Sequence, residues 1–250
     1  MNRILDETIA ALEEMKRNGV THVEVSKETL EALGKPVVRR EGEAPAEPKP
    51  AARREARPPT ELKSIEARAK ACTKCSELSR CRHSVVFGVG SETAEIMFIG
   101  EAPGADEDAQ GIPFVGRAGQ LLTKIIEAMG CRREDVYIAN IIKCRPPENR
   151  PPEPDEVANC LPYVLSQIEL IKPKVIVALG ATALRALLDV QLGITKMRGH
   201  WYTFRDIPIM PTFHPAYLLR NPPAKREVWD DMKAVLDRLG RPIPTGSAKG

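Results

Sequence analysis

The sequence lacks any long apolar run. No uninterrupted stretch approaches the roughly 20 residues that cross a bilayer, and the opening Met1-Asn2-Arg3-Ile4-Leu5-Asp6 has no apolar secretory core. Both absences lead us to expect a cytoplasmic chain with no membrane partner. An excess of one charge is also missing. With 37 basic and 34 acidic residues the net charge is +3, so any basic binding face has to be local. The segment Gly111-x4-Gly116-Arg117-Ala118 has the glycine spacing of a phosphate loop, yet no lysine and hydroxyl residue follow the second glycine. That speaks against a nucleotide hydrolase of this type. There is no internal repeat.

What is present is an ordinary globular composition: 250 residues, 42% apolar, enough for one α/β domain with appendages. Apolar runs alternate with helical periodicity, giving strands at 95–100, 136–142, 174–179 and 207–213 and helices at 117–129, 155–171, 181–189 and 223–239. That order predicts a mostly parallel sheet. Trp201 to Arg205 adds a candidate antiparallel strand. Gly130 closes the first core helix, Asp155 is the expected N-cap of the second, and Pro162 is expected to kink it. Residues 1–38 read as a small helical extension, with its amphipathic helix over 3–18. Residues 39–60 form a Pro/Ala/Glu/Arg-rich linker, 61–240 the main domain and 241–250 a flexible tail.

Two strand ends carry polar groups. The run Ile96-Met97-Phe98-Ile99 breaks at Gly100-Glu101-Ala102-Pro103-Gly104, crosses Asp106-Glu107-Asp108 and reaches Gly111-Ile112-Pro113-Phe114-Val115-Gly116. Far downstream, Ile207 to Phe213 delivers His214-Pro215-Ala216-Tyr217-Leu218-Leu219-Arg220 in the same manner. In open α/β sheets ligands bind at the carboxyl ends of strands, so the two loops can face one pocket.

Six cysteines in a chain expected to stay in a reducing compartment favour metal or cluster binding over disulfides. Cys72-Thr73-Lys74-Cys75 supplies two neighbouring thiols; with Cys144 and Cys160 a four-thiolate site is the natural reading, but spacing alone does not identify the wider pairing, and buried or redox cysteines are the alternative. Zinc and an iron–sulfur cluster both accept four cysteines, and spacing does not separate them. Cys81 is the rival ligand, and Cys131 reads as a small apolar filler.

Several ordered segments together resemble the family-4, iron–sulfur uracil-DNA glycosylases. These are Cys72-x-x-Cys75, Phe87-Gly88-Val89-Gly90, Gly100 to Gly104, Gly111 to Gly119, Asn140-Ile141-Ile142-Lys143-Cys144-Arg145-Pro146-Pro147, Cys160, and His214 to Pro222. The resemblance covers about 60–240. It implies a three-layer α/β/α sandwich around a four-stranded parallel sheet. It also implies a monomeric DNA N-glycosylase that flips uracil out of DNA and hydrolyses its glycosidic bond, initiating base excision repair. For Cys72, Cys75, Cys144 and Cys160 it favours a structural [4Fe-4S] cluster over zinc.

On that resemblance the site residues acquire roles. Phe114 stacks on the uracil ring and Ala102 lines the pocket. The amide of Asn140 reads the O4 and N3-H edge. His214 donates to O2 as the base leaves, and Glu101 positions or polarises the attacking water. Asp106, Glu107 and Asp108 are alternatives for that water, although a solvated acidic turn is the simpler reading. Gly104 stands where another branch carries a bulky tyrosine, so thymine has to be excluded differently. Leu218 is expected to fill the gap left by the flipped nucleotide, with Arg220 on a phosphate and Tyr217 packing beneath. Arg145, together with Lys143, Arg150 and Arg117, supplies the local basic surface. The extension at 1–59 is expected to recruit a repair or replication protein.

Overall fold

The computed structural model describes residues 60–188 and 192–244. The helix expected over 3–18, nearly all of the linker and the tail beyond 244 lie outside the described residues. Six strands form one sheet: β1 (Val89–Gly90), β2 (Ile96–Gly100), β3 (Tyr137–Asn140), β4 (Val175–Leu179), β5 (Tyr202–Phe204) and β6 (Ile207–Thr212). Their order is β1-β3-β2-β4-β6-β5. The middle four are parallel, with Phe98 opposite Ile138 and Val177, and Val177 opposite Met210. β1 and β5 join the two edges antiparallel. The expected four-stranded parallel sheet is therefore the centre of a six-stranded mixed one. The strand anticipated around Trp201 is β5, whereas two-residue β1 is too short to leave a periodic signal.

Nine helices surround the sheet among the described residues. They are α1 (Thr60–Lys70), α2 (Ser76–Cys81), α3 (Ala105–Gln110), α4 (Arg117–Ala128), α5 (Pro154–Ile171), α6 (Ala181–Leu188), α7 (Ile194–Met197), α8 (Pro215–Arg220) and α9 (Lys225–Arg238). Successive strand side chains point to opposite faces. On one face Met97, Ile99, Ile176 and Ala178 pack with Val164 and Ile168 of α5 and Leu184 of α6. On the other, Ile96, Phe98, Val175 and Val177 pack with Leu122 and Ile126 of α4 and Met232 and Val235 of α9. Because both faces are covered, β2 and β4 are buried along their whole length, which is why they read as unbroken apolar runs. Each such side chain contributes roughly 1.5–3 kcal/mol on burial.

Helix α5 begins one residue earlier than expected. Pro154 takes the first helical position and Glu153 is the N-cap, with the Glu156 carboxylate accepting from the Glu153 amide at 2.8 Å. Asp155 is inside the first turn. The helix also runs through Pro162; Cys160 and Val164, on either side of it, are both anchored in the core.

The chain passes from β2 to β3 on one side and then crosses to β4 on the other side of β2. The carboxyl ends of β2 and β4 thus lie at a topological switch point, where the sheet leaves a crevice. No helix among the described residues is long and apolar enough to cross a membrane.

Candidate active site and thiolate cavity

The crevice is a cavity of about 500 Å³. Every central strand contributes to its wall: Glu101 to Gly104 after β2, Asn140 at the end of β3, Leu179 at the end of β4 with Gly180 after it, and His214 and Ala216 after β6. Phe114 and Ala118 close one side and Arg220 stands at the rim. The expected Glu101, Ala102, Phe114, Asn140 and His214 are therefore brought into a single cavity.

Asn140 is 1% exposed, and its Oδ1 is the one buried side-chain polar atom without a hydrogen-bond partner among the described residues. An unpaired buried acceptor costs about 1–3 kcal/mol. Beside it is the Phe114 ring. Any Cβ on Gly100 would collide with both Asn140 Oδ1 and the tip of the Phe114 ring, so the two groups converge over a bare backbone. Phe114 has φ 54°, unusual for an aromatic residue. Its loop is held from both sides: Glu107 Oε1 accepts from the amides of Val115 (2.9 Å) and Gly116 (3.0 Å), and Arg133 donates to the Pro113 carbonyl at 2.6 Å. Gly119 on α4 lets the Phe114 backbone come closer than any side chain would allow.

His214 is the N-cap of α8, its Nδ1 accepting from the Ala216 amide at 3.1 Å. That bond places the ring proton on Nε2. Burial, with the Arg220 charge adding to it, pushes the imidazole down to about 4, so His214 is a neutral donor at physiological pH. Its ring lies 5.6 Å from that of Phe114, tilted by 34°. Glu101 accepts a hydrogen bond from the Thr182 hydroxyl on α6. Sequence reasoning missed Thr182, because a threonine in the first turn of a helix has no signal that sets it apart.

Several expectations are corrected. Ala105-Asp106-Glu107-Asp108 is the start of α3 and not a turn; Asp106 is exposed as expected, whereas Asp108 is buried. Asp108 is 1% exposed and accepts from the amides of His83 and Ser84 at 3.0 and 3.2 Å. Glu107 lines the cavity, but its second oxygen also binds a main-chain amide, that of Gly104 at 3.0 Å. Neither carboxylate is free to serve water. Leu218 is completely buried, in the core with Leu122 and Phe213, because α8 turns that face inward. The exposed neighbours are Tyr217 and Leu219. Tyr217 packs on Phe213, ring centroids 4.8 Å apart.

The basic set is also divided. Lys143 is buried. Arg150 is committed to Glu156 (2.7 Å) and Glu77 (2.7 Å), since its guanidinium finds two carboxylates brought in by α5 and α2. Arg145 donates to Asn149 at 2.9 Å. Arg117 and Arg220 are exposed.

Cys72, Cys75, Cys144 and Cys160 line one second cavity of about 20 Å³ together with Arg82, Asn159 and Tyr163. Donors surround the sulfurs: Arg82 Nη1 reaches Cys144 at 3.0 Å, the Lys143 amide reaches Cys160 at 3.2 Å, and Asn159 approaches Cys75 at 3.8 Å. Burial raises Cys75 and Cys144 and pushes Cys160 up to about 12, so burial disfavours the thiolate form at all three. Among the described residues no three Cys, His, Asp or Glu side chains are grouped so as to hold a single metal ion. Cys81 is exposed and outside this cavity, and Cys131 is buried with Arg241 donating to it at 3.2 Å.

The model of the uracil DNA glycosylase superfamily matches residues 87–233. The chain is 51% identical over 164 residues to a type-4 uracil-DNA glycosylase of Thermotoga maritima, covering 64% of this chain and 84% of that one. Type-4 uracil-DNA glycosylases of Saccharolobus solfataricus and Archaeoglobus fulgidus are 45% and 42% identical, each over 192 residues. These alignments cover 73% and 74% of this chain and 88% and 96% of the relatives.

Proposed function

The chain belongs to the uracil-DNA glycosylase superfamily and to its type-4 members, and from that premise we propose that it hydrolyses the N-glycosidic bond of uracil in DNA, opening base excision repair. The observation that carries this reading is the unpaired Asn140 Oδ1 facing a cavity beside Phe114 and His214.

A uracil stacked in a helix is out of reach, so the nucleotide is everted into the cavity. Phe114 takes the ring face. Asn140 Oδ1 accepts from N3-H and its Nδ2 donates to O4. Cytosine presents the opposite pattern and leaves the buried acceptor unpaired, a penalty large enough for strong discrimination. As the C1′–N1 bond stretches, its electron pair passes to the base, and His214 Nε2-H donates to the growing negative charge on O2. Glu101, whose carboxylate is oriented by Thr182, faces the cationic sugar and takes the proton of the water that bonds to C1′. Arg220, exposed at the rim, suits a flanking phosphate.

The four cysteines suit a [4Fe-4S] cluster. Four sulfurs round one cavity, not gathered on a point, favour a polynuclear centre over zinc, and Arg82 beside Cys144 offsets thiolate charge. When bound, the cluster supplies a cross-link between α1–α2, the loop after β3 and α5; no chemical step needs it. Residues 1–59 are read as a recruiting element. Deleting them is expected to spare uracil release in vitro and weaken repair in cells; unchanged repair would remove that role.

The test is incubation of anaerobically purified full-length protein with a labelled uracil-containing strand, followed by alkali. A break at uracil alone is expected. Binding without a break would instead make the chain a non-catalytic uracil reader.

A further inference from the structure

We propose that Lys143 is a positioning residue for base recognition, holding the peptide of Asn140 in register with the thiolate loop. The inference rests on the reading of Asn140 given above. Lys143 is 1% exposed, although a lysine in that setting carries a desolvation cost that a methionine of similar length would not. Its ammonium is used at two points. Nζ donates to the Asn140 carbonyl at 2.9 Å and to Gln167 Oε1 at 2.6 Å, while lying 5.6 Å from the Phe87 ring centroid. Gln167 is itself fixed, its Nε2 donating to the Phe87 carbonyl at 2.9 Å and to the Tyr137 hydroxyl at 3.0 Å.

The main chain of the same residue has other partners. Its amide donates to Cys160 Sγ at 3.2 Å and its carbonyl accepts from Val86 at 2.8 Å. The next residue is Cys144. Lys143 therefore joins the four-cysteine cavity to the amide that reads the base, through one side chain. The joint is placed at the end of a strand. β3 ends at Asn140, and beyond it the amides of Ile141 and Ile142 are tied back to the carbonyls of Gly100 and Glu101. The Asn140 carbonyl is left for Lys143. If that peptide rotates, Oδ1 moves relative to the Phe114 ring, and a displacement of about 1 Å in such a group can cost on the order of 10²-fold.

The experiment compares wild type, Lys143→Met, Gln167→Leu and Asn140→Ala as anaerobically purified full-length proteins, measuring visible absorption, kcat and KM on uracil strands, and selectivity over cytosine. For Lys143→Met the expected result is cluster absorption like wild type, a kcat/KM lower by about tenfold or more, and reduced selectivity. Gln167→Leu should move the same way by less. Wild-type kinetics and selectivity in folded Lys143→Met, or a loss confined to melting temperature, would overturn the proposal. Should Lys143→Met fail to fold, wild-type kinetics in Gln167→Leu overturns it instead. A slow Asn140→Ala beside a wild-type Lys143→Met removes only the positioning role; a wild-type Asn140→Ala removes the reading beneath it.

Discussion

The base cavity and the cysteine cavity sit at two ends of one short segment, Asn140 to Cys144, and are built on opposite terms. The first, about 500 Å³, leaves one buried acceptor, Asn140 Oδ1, without a partner. The second, about 20 Å³, surrounds its sulfurs with an arginine, an amide side chain and a main-chain N–H. An unsatisfied site suits a guest that arrives and leaves, since the missing hydrogen bond is supplied only by the right base. A satisfied one suits a resident group that has to stay put.

That contrast can be broken from either side. The largest effect is expected at the cysteine cavity, where the proposed cluster would be held. Cys160→Ala should abolish visible absorption and lower the melting temperature by on the order of 10 °C, a loss of about 3 kcal/mol at roughly 2–4 °C per kcal/mol. Unchanged melting would mean that the cysteines hold nothing structural. At the guest site, His214→Ala should slow single-turnover uracil release by about 10²–10³-fold, the range for removing one oxyanion donor, while the melting curve changes far less.

Gly100→Ala comes next. Its methyl group would push apart Asn140 Oδ1 and the Phe114 ring, so a loss of about 10²-fold is expected with the cluster absorption intact. Kinetics like wild type would show that the two groups need not converge. The last effect concerns pH. The His214 imidazole, ordinarily near 6.5, is lowered to about 4 by burial. Between those values the unfolded chain binds a proton that the folded chain refuses, so stability falls as pH drops through this window and is independent of His214 above it. Urea titrations from pH 4 to 7 should show a shallower slope in His214→Ala, and an identical slope would contradict the assignment.

How much of this was legible in the sequence follows from what each residue does. β2, β3, β4 and β6 are written as apolar runs because both faces of the sheet are covered, and Phe114, Asn140 and His214 stand at strand ends or loops where the pattern breaks. The four cysteines could be grouped by resemblance, yet only the fold shows them around one cavity. Charges were the least legible. Lys143 and Asp108 look like solvated surface, but both are buried and held by groups from another segment, Gln167 for the lysine and the amides of His83 and Ser84 for the aspartate; Arg150 and Glu107 are instead taken up by Glu156 and Glu77 and by the amides of Val115 and Gly116, and no local pattern announces these pairings. Leu218 failed for a similar reason: a six-residue helix has too few turns to reveal which face turns inward.

The most direct test of the central claim is single-turnover uracil release by Asn140→Asp beside wild type, on matched uracil and cytosine strands at equal DNA occupancy. If the amide reads the base, release of uracil falls by about 10²-fold or more, or discrimination against cytosine collapses. Wild-type rate together with wild-type selectivity would contradict it.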